Sequence, residues 1–445
     1  MLAELIAYCG IETEYHDAWG QQTQVPQAQQ LALLAAQGFD IENEEHAREQ
    51  LLERRAHFWQ QLLAPVSVQL QQQPVIVELQ LPLALANEPL SLQLICEDGR
   101  QQTTELVAVD GELQQVILLD DTEYHQYQLV TDWQLSPGYH HLSVLCPVNG
   151  RKYEQRLIIT PGQCFQPPQF RQKKQWGSAV QLYSLRSERN WGIGDFTDLK
   201  NLTGYLAQHG ADFIGLNPVH ALYPAMPESA SPYSPSSRRW LNIIYIDVET
   251  MPGFNRCSEV QNLLVSAEMQ QRLAALRQTG WVDYQGVMQQ KLPVMKQLYH
   301  YVMQHPQHFT EELQQFEAFK AAGGQSLQQL ALYDALHAWL LERDSQNWGW
   351  PVWPEDYRKP DSEAVTLFAR EHQEQLDCYC YLQFIANRQL EEVQQYAKKQ
   401  GMLLGLYRDL AVGVSEASTE IWGNPELYCR QASVGAPPDP LGPTG

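Results

Sequence analysis

The sequence predicts a multidomain protein: an N-terminal helical segment, a β-sandwich, and then part of a (β/α)8 (TIM) barrel carrying a helical insertion. Three observations carry this reading. Apolar residues recur at helical spacing up to about residue 64, and the period then falls to two between about 66 and 160. Beyond that, residues 175–241 spell a strand, a helix and a second strand, each strand followed by a loop rich in Tyr, Ser, Arg, Asn and Pro. A βαβ unit implies parallel neighbours, and loops at the strand ends are where a barrel carries its chemistry.

Residues 1–64 form the helical segment. Val25-Pro26 leads into QAQQLALLAAQ and Gly38 closes it, with Pro at the start of the helix and Gly just past its end. A second helix, from about 44 to 63, sets Leu51, Leu52, Arg55, Phe58, Trp59 and Leu62 at three-and-four spacing and stops before Pro65. Residues 65–165 form the sandwich. Runs 66–70, 75–81 and 90–94 alternate apolar with polar, and shorter runs follow at 106–109, 116–119, 127–130, 141–146 and 155–160. Asp98-Gly99, Asp110-Gly111, Pro137-Gly138 and Asn149-Gly150 separate them as turns. Short strands at this spacing make an antiparallel, immunoglobulin-like sandwich, which either binds carbohydrate or packs beside a catalytic domain.

Residues 166–445 hold the barrel portion. Residues 179–184 read as a buried strand, and Trp191-Gly192-Ile193-Gly194-Asp195 as a turn with Asp195 capping the next helix. That helix places Leu199, Leu202, Tyr205 and Leu206 on one face and stops near His209-Gly210; residues 212–217 are the second strand. Residues 240–247 give another apolar run. From about 253 to 400 the chain is helical and Gln-rich, far beyond one crossover helix, and reads as an inserted subdomain over the barrel mouth. Within it, Trp348, Trp350 and Trp353 either stack on sugar or pack an irregular loop. A helix ending at Gly401 leads to a third strand at 402–410.

Composition narrows the partners. With 44% apolar residues the chain can bury large cores, and a net charge of −22 argues against nucleic acid or an anionic membrane. The first residues carry neither a basic start nor a signal-type apolar run, and no stretch approaches the ~20 apolar residues of a spanning helix, so a cytoplasmic protein is expected. The eight cysteines form no CxxC pair and the thirteen histidines no HExxH group, which predicts reduced thiols and no metal site.

Three residues stand where a barrel presents its chemistry. Asp409 closes the third strand beside Arg408, as an active-site group, an ion pair or a helix cap. Tyr233 sits between prolines in SPYSPSSRR, to contact a sugar or to anchor the loop; Asn217 ends the second strand with the same ambiguity.

The combination QLYSLRSERNWGIGDFTDL, IGLNPVHALYP, SASPYSPSSRRWLN, WVDYQGVMQQK, LYRDLAVGV and GAPPDPLGP resembles the 4-α-glucanotransferases, or amylomaltases, of glycoside hydrolase family 77, in their long bacterial form. The resemblance covers essentially the whole chain. It implies a barrel of α-amylase type and retaining transfer of α-1,4-glucan segments between malto-oligosaccharides in maltodextrin and glycogen metabolism, with no cofactor. Tyr233 matches the family's loop tyrosine at the cleavage point, Ser231 its neighbouring serine, and Asp409 the aspartate of the active-site floor. The family's nucleophile lies in an Arg-x-Asp-His motif and its acid/base in a Glu-Asp-Leu-Gly motif. Neither motif occurs here, and Ala436-Pro437-Pro438-Asp439 matches only a substrate-side loop. Both catalytic carboxylates are therefore expected beyond Gly445, with neither present in this chain. Retaining transfer needs both. The resemblance thus implies the N-terminal portion of such an enzyme, inactive and poorly stable alone. Two other classes compete: a noncatalytic glucan-binding protein, and an amylase-like hydrolase with water as acceptor.

Overall fold

The computed structural model describes the chain except residues 18, 120, 147–149, 172–173, 434 and 436–445. It divides into two compact units, Met1–Arg171 and Gln172–Val434.

The first unit opens with helices α1 (Leu2–Tyr8), α2 (Gln27–Ala36) and α3 (Glu44–Trp59), packed around Leu5, Leu34, Phe39 and Leu51. Pro26 caps α2 and Gly38 leaves it at φ +86°, the left-handed conformation glycine adopts without strain. Asn43 caps α3 by accepting the His46 N–H at 3.1 Å. The segment is not wholly helical. Strands β1 (Glu14–His16) and β2 (Gln22–Gln24) form a hairpin, turned by the Asp17 carboxylate accepting from the Trp19 and Gln21 amides at 2.9 and 2.8 Å. Helix α3 also ends at Trp59, short of the expected 63, and leaves Leu52 and Phe58 half exposed.

Eight strands follow: β3 (Val66–Leu70), β4 (Ile76–Pro82), β5 (Pro89–Ile95), β6 (Gln101–Val107), β7 (Glu112–Leu119), β8 (Thr122–Val130), β9 (Gly138–Leu145) and β10 (Lys152–Thr160). They make two sheets, ordered β3-β10-β9-β5-β6 and β4-β8-β7. The period-two pattern acts as expected: Leu90, Leu92 and Leu94 are fully buried and meet Val77, Leu79, Leu142 and Leu157 in one core. One pairing departs from the antiparallel expectation, since β3 runs parallel to β10 with Val66 opposite Arg156. These are the first and last strands, joined by no hairpin, so no turn fixes their relative direction. The edge strands β6 and β7 begin five and four residues before their apolar runs at 106 and 116, because an edge tolerates polar residues.

The second unit is built on a parallel sheet ordered β11-β12-β15, from β11 (Gly177–Val180), β12 (Phe213–Leu216) and β15 (Gly405–Arg408). Between them, β13 (His220–Ala221) pairs antiparallel with β14 (Ser237–Leu241). The first strand lies earlier than expected and is not buried. Residues 182–184 form a 3₁₀ turn, and β11 is a half-exposed edge. Helix α4 (Phe196–Gln208) starts from a full capping box, Asp195 and Asp198 each accepting the other's backbone N–H. Gly194 just ahead of it is held so tightly that a Cβ would lie 2.1 Å from the Leu182 carbonyl oxygen.

The helical stretch comprises α5 (Ser258–Val265), α6 (Ala267–Gln278), α7 (Tyr284–Gln304), α8 (Thr310–Arg343), α9 (Glu363–Glu371) and α10 (Gln373–Lys399); α11 (Thr419–Gly423) follows β15. These helices have no separate core: Leu298, Phe316, Leu336 and Tyr381 belong to the same cluster as Ile214, Leu216 and Phe196. Helix α10 packs against α4 and delivers the chain into β15, so it serves as a crossover helix. The tryptophan segment packs. Trp353 is fully buried, with ring centroids 5.0 Å from Tyr333 and 6.0 Å from Trp422, and only Trp348 reaches solvent.

Two polar devices tie helices to loops. Arg189 bridges Asp195, Asp198 at 3.2 Å and Asp247 at 3.0 Å, with fully buried Lys291 nearby donating to the Ile244 carbonyl. Burial pushes the Asp195 carboxyl up to about 6 and the Lys291 ammonium down to about 8. Glutamine amides on α10 imitate peptide groups. Gln383 accepts the Leu241 N–H at 3.0 Å and donates to the Leu241 carbonyl at 2.8 Å. Gln389 does the same to Asp247 at 2.8 and 2.9 Å.

Candidate functional site

The C-terminal ends of β12 and β15 bring two of the four expected residues together. Asp409 follows β15 and extends its ladder, its N–H donating to the Leu216 carbonyl at 3.0 Å. Tyr233 stands on the loop between β13 and β14, 59% exposed, and its hydroxyl donates to Asp409 Oδ2 at 3.1 Å. That hydrogen bond raises the phenol pKa above its usual value. Asp409 makes no ion pair with Arg408 among the described residues, although both border the same cavity.

The remaining two candidates frame the site. Ser231 is exposed and its carbonyl accepts from the Ser234 N–H at 3.2 Å, closing the turn that lifts Tyr233. Asn217 is occupied internally: Oδ1 accepts the Leu182 N–H at 2.9 Å and Nδ2 donates to the Pro218 carbonyl at 2.8 Å. Its amide latches the end of β12 to the turn after β11.

The SPYSPSSRR motif is docked from below. The Pro235 carbonyl accepts from the Ser415 N–H, and Ser236, fully buried, donates its own N–H to the Ala221 carbonyl at 2.9 Å. Arg238 pairs with Glu420 at 3.2 Å and donates to the Val412 carbonyl at 3.0 Å. Tyr428 gives Glu420 a further hydrogen bond at 3.1 Å. The Tyr233 loop is thus fastened to the segment that follows Asp409, which fixes their relative position.

Sequence reading missed His220, Arg238 and Glu420. His220 Nε2 accepts the Ala411 N–H at 3.2 Å, so the neutral ring carries its proton on Nδ1. Burial, then Arg408, holds its pKa below the ordinary value, and the ring is neutral at pH 7. The position of His220, just past the Asn217-Pro218 pair that follows β12, was the available signal. His220, Arg238, Arg408, Asp409 and Leu410 border a cavity of about 300 Å³. Asp409, which accepts the Tyr233 hydroxyl, is the one carboxylate among the cavity's described lining residues, and Glu420 beyond it is held by Arg238 and Tyr428. A tyrosine ring beside a carboxylate and guanidinium groups can bind a polyhydroxyl ligand, whereas two-carboxylate chemistry would need a partner for Asp409. The expected substrate-side loop at 436–439 lies outside the described residues.

The fold defines a class first. Across its whole length the chain matches the crystal structure of amylomaltase from Corynebacterium glutamicum with a TM-score of 0.79 at 27% identity, covering 59% of that chain. The protein is therefore multidomain, with an N-terminal β-sandwich and an amylomaltase-like fold. A family model for 4-alpha-glucanotransferase of glycoside hydrolase family 77 matches residues 180–445, and one for the MalQ N-terminal beta sandwich domain matches 62–161. The chain belongs to the glycoside hydrolase family 77 4-alpha-glucanotransferases. A 4-alpha-glucanotransferase from Haemophilus influenzae is 40% identical over 313 residues, which is 69% of this chain and 44% of the relative. One from Mycobacterium bovis is 30% identical across all of this chain and 60% of its own length. The chain thus spans about half the length of the curated relatives it matches.

Proposed function

We propose that this chain provides the substrate-binding first portion of a 4-α-glucanotransferase, which moves α-1,4-glucan segments between malto-oligosaccharides by retaining double displacement. The Tyr233–Asp409 hydrogen bond at the strand ends carries the proposal. In this reading β11, β12 and β15 are the first three strands of a (β/α)8 barrel of α-amylase type. Residues 1–64, 65–165 and 166–445 are the helical, sandwich and barrel-forming portions. Tyr233 stacks on or hydrogen-bonds a glucosyl unit, Ser231 and Asn217 shape its subsite, and Asp409 takes sugar hydroxyls from the floor.

The nucleophile and the acid/base are not among these residues. Support comes from the absence of both motifs in the sequence and from Asp409 standing as the one carboxylate among the cavity's described lining residues. Since transfer conserves the number of glycosidic bonds, it requires no ATP or redox cofactor. The described cysteines are free thiols, in keeping with a reducing cytoplasm.

The test is incubation with maltotriose while glucose and longer maltodextrins are followed together. Silence from this chain is expected, with activity from a protein extended to the relatives' full length. Longer oligomers from this chain alone would overturn the assignment of its missing carboxylates. Glucose and maltose without longer products from the extended protein would favour hydrolysis instead.

A further inference from the structure

The sandwich contains a groove that the Tyr233–Asp409 site does not use. It lies where β3 and β8 end, between residues 71–74 and 131–136, and encloses about 580 Å³, within the range of small-ligand sites. Its backbone is fixed. The Gln71 N–H donates to the Thr160 carbonyl at 2.9 Å, and Thr131 donates twice to the Val75 carbonyl, from N at 2.9 Å and from Oγ1 at 3.0 Å. Buried Trp133 and Leu135, with Pro74, supply apolar lining.

The side chains above this frame are uncommitted. Gln71, Gln72, Gln73, Asp132 and Gln134 are all at least partly exposed, and none makes a side-chain hydrogen bond or ion pair among the described residues. Each amide offers a donor and an acceptor side by side, and one carboxylate adds acceptors. No lysine or arginine lines the groove, so it has no charge to hold an anion, and a lone exposed carboxylate is weak recognition for a cation. Amide forks beside a small apolar strip at Pro74 suit a neutral ligand whose adjacent hydroxyls both donate and accept while a C–H face packs. A hexose chain has that chemistry.

We propose that the sandwich binds a malto-oligosaccharide in this groove, as an accessory site on a different unit from Tyr233 and Asp409. The proposal rests on the glucan reading above, and its test separates the two. Titration calorimetry of the full chain with maltoheptaose is compared among the wild type, Gln72→Ala/Gln134→Ala and Tyr233→Ala. Loss of two amide contacts weakens the groove about tenfold or more. The expected result is one binding event removed by the glutamine pair and a separable one removed by Tyr233→Ala. If binding falls with Tyr233→Ala and is untouched by the glutamine pair, the groove proposal is overturned and the glucan reading stands. Absence of any maltoheptaose binding overturns both.

Discussion

Replacing Gln389 on α10 with leucine tests whether a side-chain amide substitutes for a strand partner. The wild-type amide joins the N–H and C=O of Asp247 and also donates to Thr250 Oγ1 at 2.9 Å. Leucine keeps most of the volume and none of the bonds. The Asp247 carbonyl retains the Thr250 hydroxyl at 3.2 Å, but its N–H loses the side chain that satisfied it. An unsatisfied buried donor costs about 1–3 kcal/mol, and a lost hydrogen bond about 1 more. The total of roughly 2–4 kcal/mol lowers the melting temperature of a unit this size by about 4–16 °C. Gln389→Glu sharpens the test. At neutral pH the introduced carboxylate faces the Asp247 carbonyl oxygen, so its folded-state pKa is raised above the unfolded value of ~4.3. Its stabilising form is the protonated one, present at low pH and lost as pH rises through the folded pKa. Scanning calorimetry should therefore show Gln389→Glu approaching wild type near pH 4.5 and falling behind at pH 7.5, while Gln389→Leu stays low at both. A leucine variant melting within about 1 °C of wild type would refute the reasoning.

Three further outcomes are expected. Gly194→Ala forces a Cβ against the Leu182 backbone oxygen, which cannot swing away; about 3 kcal/mol of stability should disappear in urea titrations of the second unit. Tyr233→Phe removes the hydroxyl bonded to Asp409 on an exposed loop, so the melting temperature holds within about 1 °C while maltoheptaose affinity, read by calorimetry, drops several-fold. His337 is fully buried, and burial holds its pKa down to about 4 against the ordinary 6.5. As pH falls below 6.5 the unfolded chain takes the proton first, so up to ~3 kcal/mol present above 6.5 is lost by pH 4. Urea melts of wild type and His337→Leu between pH 4 and 7.5 should show that slope only in the wild type.

Much of this organisation was legible because it rests on local periodicity. Leu90, Leu92 and Leu94 alternate in the sequence and are buried together; Asp195 reads as a helix start and forms a capping box with Asp198. Tyr233 and Asp409 were legible by resemblance, and only the fold brings them within a hydrogen bond across 176 residues. What escaped was set by tertiary contact. The β1–β2 hairpin follows from the Asp17 side chain, which no apolar pattern reports. The parallel β3–β10 pair joins chain segments with no turn between them. Glu420 looks like any surface acid until Arg238 and Tyr428 converge on it. The Gln-rich stretch suggested an insertion with its own identity, whereas Gln383 and Gln389 bind it into the core it shares with the sheet.

The sheet order β11-β12-β15 leaves one strand with two neighbours and two strands with one each among the described residues. The outer side of Gly405–Arg408 is partly occupied: the Leu406 N–H donates to Gln394 Oε1 at 2.7 Å, and Gln394 Nε2 donates to the Leu404 carbonyl at 3.1 Å. A strand joining that side in parallel would have to displace the Gln394 amide, would sit about 4.8 Å away and would finish on the same face as Asp409. Such a strand would take its height from that rim, and with it the choice of side chains able to come alongside the Tyr233–Asp409 pair. A shift of one residue in its register would turn the first side chain past it to the opposite face of the sheet.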